Sequence, residues 1–154
     1  MVDAVKQPYQ GDAYVILDDT ELSGLTNNSW SALSAAEFDS ATFNQLFRDL
    51  EGYLAAQGAN RTSGAHLAIY AVPTIDGINY MTWTTGSAED AGNEQYYVGS
   101  ISFKDGVLTA ERQGTPAFHP PWGGKFKIAV RNKTGQTLTA GSTLKGRRHG
   151  YSSQ

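Results

Sequence analysis

The chain has 154 residues, the size of one domain, and a domain of that length buries roughly 70% of the surface its unfolded chain exposes. Aromatic residues make up 11% and charged residues 18%, the latter below the roughly 25% of an average soluble domain, a balance suited to packing and not to disorder. The absence of cysteine excludes disulfides, thiolate metal sites, iron–sulfur clusters and cysteine nucleophiles. The N-terminus lacks the basic and apolar regions of a secretory signal, and no window approaches the roughly 18 apolar residues of a membrane span, so a soluble protein is expected.

The net charge of -3 conceals a polarity along the chain. All fifteen Asp and Glu lie within residues 1–111, whereas residues 112–154 carry Arg112, Lys125, Lys127, Arg131, Lys133, Lys145, Arg147 and Arg148 and no carboxylate. Such asymmetry serves nucleic-acid binding, contacts between like subunits or docking on an acidic partner, and it also arises from solvated strand faces. The acidic remainder argues against nucleic acid.

Residues 1–12, with Pro8 among polar neighbours, read as an extended arm leading into the apolar run Tyr14–Leu17, a strand. Asp18 to Asn28 interrupt it, and Trp30, Leu33 and the small residues after them suggest a loop with a short helical turn. Residues 43–54 are ambiguous. Phe43, Leu46, Phe47, Leu50 and Leu54 sit at helical spacing, while Phe47, Asp49, Glu51 and Tyr53 trace an alternating face; periodicity alone favours helix.

The stretch HLAIYAVPTIDG reads as a strand ending in an Asp76-Gly77 turn, and Tyr80–Thr85 has a similar strand-like composition. Residues 96–103 alternate, and Asp105-Gly106 suggests a hairpin into Val107–Thr109. After a Pro-rich connection, KFKIAVRN sets Lys125, Lys127 and Ala129 on one face and Phe126, Ile128 and Val130 on the other, the clearest strand in the chain. Thr134-Gly135 turns it back, and 142–151 forms a last basic strand. About seven short strands separated by polar turns predict an all-β protein: an antiparallel β-sandwich of jelly-roll type over 13–154, with the arm at 1–12. A helix at 43–54 would instead make the class α+β.

Few residues suggest chemistry. His66, His119 and His149 have no metal-ligand spacing, and no phosphate-cradling or nucleophile-elbow motif occurs. Asp18, Asp19 and Glu21, or Glu89, Asp90 and Glu94, could ligate calcium, but neither group matches the EF-hand loop, and solvated acids are the default. Neither enzyme activity nor a cofactor is expected. Asn27, Asn60 and Asn132 open glycosylation triplets of a kind that chance supplies. Trp30, Trp83, Trp122, Tyr96 and Tyr97 could pack the core, stack on a sugar or anchor a protein partner.

From Pro120-Pro121 through KFKIAVRNKTGQTLTAGSTLKGRR, the C-terminal third combines a Pro-rich lead, an alternating basic strand, an Asn-x-Thr-Gly turn and a closing strand. This pattern resembles small virion proteins of tailed bacteriophages, and LAIYAVPTIDGINY looks like the central strand and Asp-Gly turn of the same proteins. The resemblance covers about half of the chain, implies a strand at 43–54, and carries no catalytic residue. It implies a head decoration or other external virion protein, made in the host cytoplasm and bound to the major capsid protein or another virion protein, often as a homo-oligomer. The other reading is a tail-associated or fibre module that binds a host receptor or glycan through Trp30, Trp122 and Tyr97. Terminal position, loop placement or unpaired charge nominates Tyr9, Trp122, Arg131, Lys145, Arg147 and Arg148 as partner contacts.

Overall fold

Phe126, Ile128 and Val130 alternate with Lys125 and Lys127, and the strand they form, β7 (Lys125–Lys133), lies antiparallel to β4 (His66–Pro73). The computed structural model describes residues 6–39, 47–87, 92–116 and 124–153. The other strands are β1 (Lys6–Leu17), β2 (Phe38–Asp39), β3 (Phe47–Leu54), β5 (Tyr97–Ser102), β6 (Glu111–Pro116) and β8 (Thr143–Ser153). They form two four-stranded antiparallel sheets, ordered β1-β8-β3-β6 and β2-β7-β4-β5. The chain is thus an all-β sandwich.

The facing surfaces supply the core. Leu67, Ile69, Ile101, Phe126, Ile128 and Val130 of one sheet meet Ile16, Leu17, Leu50, Leu54 and Leu144 of the other. Each such side chain contributes about 1.5–3 kcal/mol on burial. Gly52 falls inside β3 because a Cβ there would stand 3.0 Å from the Phe103 ring, so the close approach of the sheets leaves no room for a side chain.

The free edge of β7 is covered by its own chain. Ser31 and Ser34 donate backbone N–H to the carbonyls of Val130 and Ile128, and their hydroxyls accept the amides of those same residues at 3.0 and 3.1 Å. Two serine side chains here take the place of backbone acceptors, satisfying a strand edge that would otherwise be open to another chain.

Several expectations change. Residues 47–54 are strand and not helix, because pairing on both sides with β6 and β8 uses their backbone groups, with Leu50 and Leu54 turned into the core; residues 43–46 lie outside the described residues. The arm expected over 1–12 is, from Lys6 onward, the first half of β1, paired with β8 from Lys6↔Ser153 to Gln10↔His149. A register shift between Gln10 and Ala13 marks where arm and strand were expected to divide.

The hairpin expected across Asp105-Gly106 does not form, since β5 and β6 belong to different sheets. Residues 105–108 are held elsewhere: Asp105 accepts the Ala65 amide, and the Val107 and Leu108 carbonyls accept those of Arg61 and Gln57. Tyr80–Thr85 contributes only a bridge from Tyr80 to Thr74. The helical turn lies earlier than expected, at α1 (Asp19–Leu22), where Asp18 and Glu21 form a capping box.

Candidate partner-binding surface

β4 leaves its sheet at Pro73 and enters a tight turn whose organiser is Asp76. Its carboxylate accepts the backbone amides of Ile78 and Asn79, the Thr74 hydroxyl and the Asn79 side-chain amide, at 2.7–2.9 Å. These donors, the Asn79 amide first, hold the Asp76 carboxyl far below the usual carboxylate range, so it remains an anion. Gly77 supplies the left-handed residue of the turn at φ 76. On either side of this charge, Ile75 and Ile78 are 85% and 79% exposed. Two large aliphatic side chains are therefore presented to solvent on a turn already ordered by its own hydrogen bonds, the arrangement of a preorganised anchor.

The base of the turn is tied down as well. The Thr74 amide donates to the Lys125 carbonyl, and Met81 N–H to the Pro73 carbonyl, both at 3.0 Å. Tyr80 donates its hydroxyl to Glu37, which also pairs with Lys125 at 2.9 Å, while the Lys127 ammonium lies over the Tyr80 ring at 5.1 Å. The Tyr80 hydroxyl, and after it Lys125, lowers the Glu37 pKa; Glu37 in turn raises that of Lys125.

Most aromatics named from sequence are internal. Trp30, 1% exposed, meets Tyr70 and Trp83 edge-on at 4.8 and 5.4 Å, and Trp83 donates its indole N–H to the Ser31 carbonyl. Trp30, Trp83 and Tyr96 pack with Ala68, Tyr70 and Val72 on the outer face of β4, which explains why that strand is buried on both sides. Tyr97 alone of the described group projects, 49% exposed and edge-on to Tyr70.

Of the six nominated contacts, Tyr9, Lys145, Arg147 and Arg148 lie on the paired strands β1 and β8, and Arg131 lies on β7 of the other sheet. Arg131 is 8% exposed: its guanidinium stacks on Trp30 at 4.5 Å, pairs with Glu94 at 2.9 Å and donates to the Asn28 carbonyl, so its charge is engaged within the fold and little of it reaches the surface. Lys145 and Arg147 lie on β8 beside β1, Lys145 opposite Val15 and Glu51, Arg147 opposite Ala13 and Asp49. Tyr9 of β1 is opposite Gly150 of β8, and Arg148 of β8 is opposite Phe47 of β3. Trp122 lies outside the described residues. The charge polarity of the sequence is in part consumed internally, since Arg112 pairs with Glu51, Lys125 with Glu37 and Arg131 with Glu94.

The polar residues that suggested chemistry have structural partners. Asp19 accepts the Gly141 amide, and Glu94 accepts from Tyr70 and Arg131; Glu89, Asp90 and His119 lie outside the described residues. His66 Nδ1 lies 2.7 Å from the Gly64 carbonyl. Asn132, fully buried, donates to the carbonyls of Leu25 and Gln136 and accepts from the Thr134 amide and hydroxyl, so the Asn-x-Thr-Gly segment is a turn lock. Among the described residues no group of three or more His, Asp or Glu is placed to hold a metal ion, and no helix is long and apolar enough to cross a membrane. Compared with models of known protein families, with curated proteins and with solved structures, the chain has no match.

Sequence reasoning missed the Ile75–Ile78 tip because Ile75 continued the apolar run of β4. The usable signal was a large aliphatic residue on each side of an Asp-Gly turn, where polar residues are the norm.

Proposed function

We propose that this chain is a structural protein of a tailed-bacteriophage particle, a jelly-roll subunit that decorates or cements the head by binding the major capsid protein, and that associates with its own copies. The strand order carries this reading. In sheets ordered β1-β8-β3-β6 and β2-β7-β4-β5, every step along the chain changes sheet except β4 to β5, the succession expected of a jelly roll, an architecture used by viral capsid and lectin domains. The strand at 47–54, within the 43–54 segment that the virion resemblance expects as strand, is further support. So is the surface: an ordered apolar tip and a cationic strand face suit repeated, individually weak contacts on a lattice, where multivalency multiplies affinity. A glycan-binding fibre module is the weaker reading, because Trp30, one of its three platform residues, is buried beneath Arg131.

Co-sedimentation of the purified protein with undecorated phage heads, with tails as control and at low and raised salt, tests the proposal. Saturable binding to heads is expected. Binding to tails alone, or to an immobilised glycan in their place, would overturn it.

A further inference from the structure

The Ile75–Ile78 turn ends in an apolar–anionic–apolar triplet, and a surface that receives it must offer apolar area flanked by cations, since a carboxylate buried without a counter-charge is costly. Such a surface is present on this chain. Val15 is 46% exposed on the outer face of β1, and its partner in register is Lys145 of β8, with Arg147 two residues further along. Among the described residues Lys145 and Arg147 form no ion pair; the nearby Glu51 is engaged by Arg112 at 2.8 Å. The tip cannot reach this face within one molecule, because it extends from the β4 end that pairs with the start of β7, whereas Val15 and Lys145 lie on the other sheet near the start of β8.

We propose that the Ile75–Ile78 tip of one copy docks on the outer face of the β1–β8 pair of a second copy, with Val15 against the isoleucines and Lys145 and Arg147 facing Asp76. The contact joins two different surfaces, so it propagates as a ring or an open chain of subunits and not as a two-fold dimer. A seven-residue turn covers less area than the roughly 1,200 Å² of a stable interface, so the contact is weak in solution and gains strength where a lattice holds copies side by side. It rests on the reading of the chain as a self-associating virion subunit and specifies which surfaces meet.

The chain lacks cysteine, which makes cross-linking selective. Two single variants, Ile78→Cys and Val15→Cys, are mixed under mild oxidation; the 78–15 disulfide is expected to exceed both the 78–78 and 15–15 products several-fold. Sedimentation velocity of the wild type up to about 1 mM is expected to show concentration-dependent association, weakened about tenfold or more in Ile75→Ser/Ile78→Ser and in Arg147→Glu. Unfolding midpoints of the variants establish that they remain folded. Dominant 78–78 or 15–15 products, or a wild type that stays monomeric throughout, would overturn the inference. A monomer that still binds heads would overturn this contact alone, whereas self-association without head binding would overturn the decoration reading alone.

Discussion

Arg61 and Glu111 form an ion pair at 2.5 Å in which the arginine side chain is fully buried and the glutamate 10% exposed. The same guanidinium donates to the carbonyls of Lys104 and Thr109, so one side chain ties the start of β6 to the loop after β5. Removing one member of a buried pair leaves the other charge without compensation, at a cost of about 3 kcal/mol or more. Glu111→Gln is therefore expected to lower the unfolding free energy by about that amount, read as a shifted urea midpoint at unchanged slope. A loss below about 0.5 kcal/mol would show that the charge is not needed there.

Gly135 closes the turn after β7 at φ 80, and a Cβ on it would stand 2.2 Å from the Thr62 hydroxyl oxygen. Gly77 has nearly the same backbone angle with nothing within 4 Å. Both alanine variants incur the left-handed penalty of about 1–2 kcal/mol, but only Gly135→Ala adds a collision. Gly135→Ala is expected to destabilise by at least about 2 kcal/mol more than Gly77→Ala. Equal losses would mean that the loop bearing Thr62 moves aside freely.

The titrating groups predict loss of stability at both ends of the pH range. Burial first, and then Glu94, raises the pKa of Tyr70 above its ordinary value, so its contribution is complete below about pH 10 and is lost as pH rises from there. Tyr70→Phe removes the hydrogen bond to Glu94, at about 1 kcal/mol near neutrality, and the gap from wild type should narrow as pH approaches 11. Asp18, Glu37, Asp76 and Asp105 have lowered values, and their contribution, present above about pH 4, is lost as pH falls. Asp76→Asn should make the acid limb shallower. Denaturant titrations across pH measure both effects, and parallel profiles for wild type and variants would refute them.

Arg131 and Arg147 should behave oppositely. Arg131→Ala removes a ring contact, an ion pair and a backbone hydrogen bond from a buried side chain, and a loss of about 2 kcal/mol with a change in Trp30 fluorescence is expected. Arg147→Ser, at an exposed position that has no ion pair among the described residues, should stay within about 0.5 kcal/mol of wild type. A large loss at Arg147, or none at Arg131, would contradict these placements.

The strands legible in the sequence carried a local pattern. β7 was read from the alternation of Phe126, Ile128 and Val130 with Lys125 and Lys127, and β4 from a continuous apolar run that ends in the Asp76-Gly77 turn. Residues 47–54 stayed ambiguous, because Leu50 and Leu54 fit both a helical stripe and one face of a strand, and only pairing with β6 and β8 decides between them. That pairing is non-local and leaves no trace in a short window. The burial of Trp30 and Arg131 was hidden for the same reason, since the partners Tyr70 and Glu94 are distant in sequence. The candidate tip was obscured differently: composition places isoleucine inside, and only the geometry of the Asp76 turn shows both of them outside.

The place of β8 governs the order in which the protein can assemble. It lies between β1 and β3, so β1 has no partner in the sheet β1-β8-β3-β6 until the residues of β8 have been made. Until then β1 waits without its partner, exposing backbone groups that another nascent chain could engage. Contacts between strands so distant in sequence also slow the search for the native state, into the millisecond-to-second range typical of such topologies. The closing of β1 against β8 is therefore the step that completes the sheet.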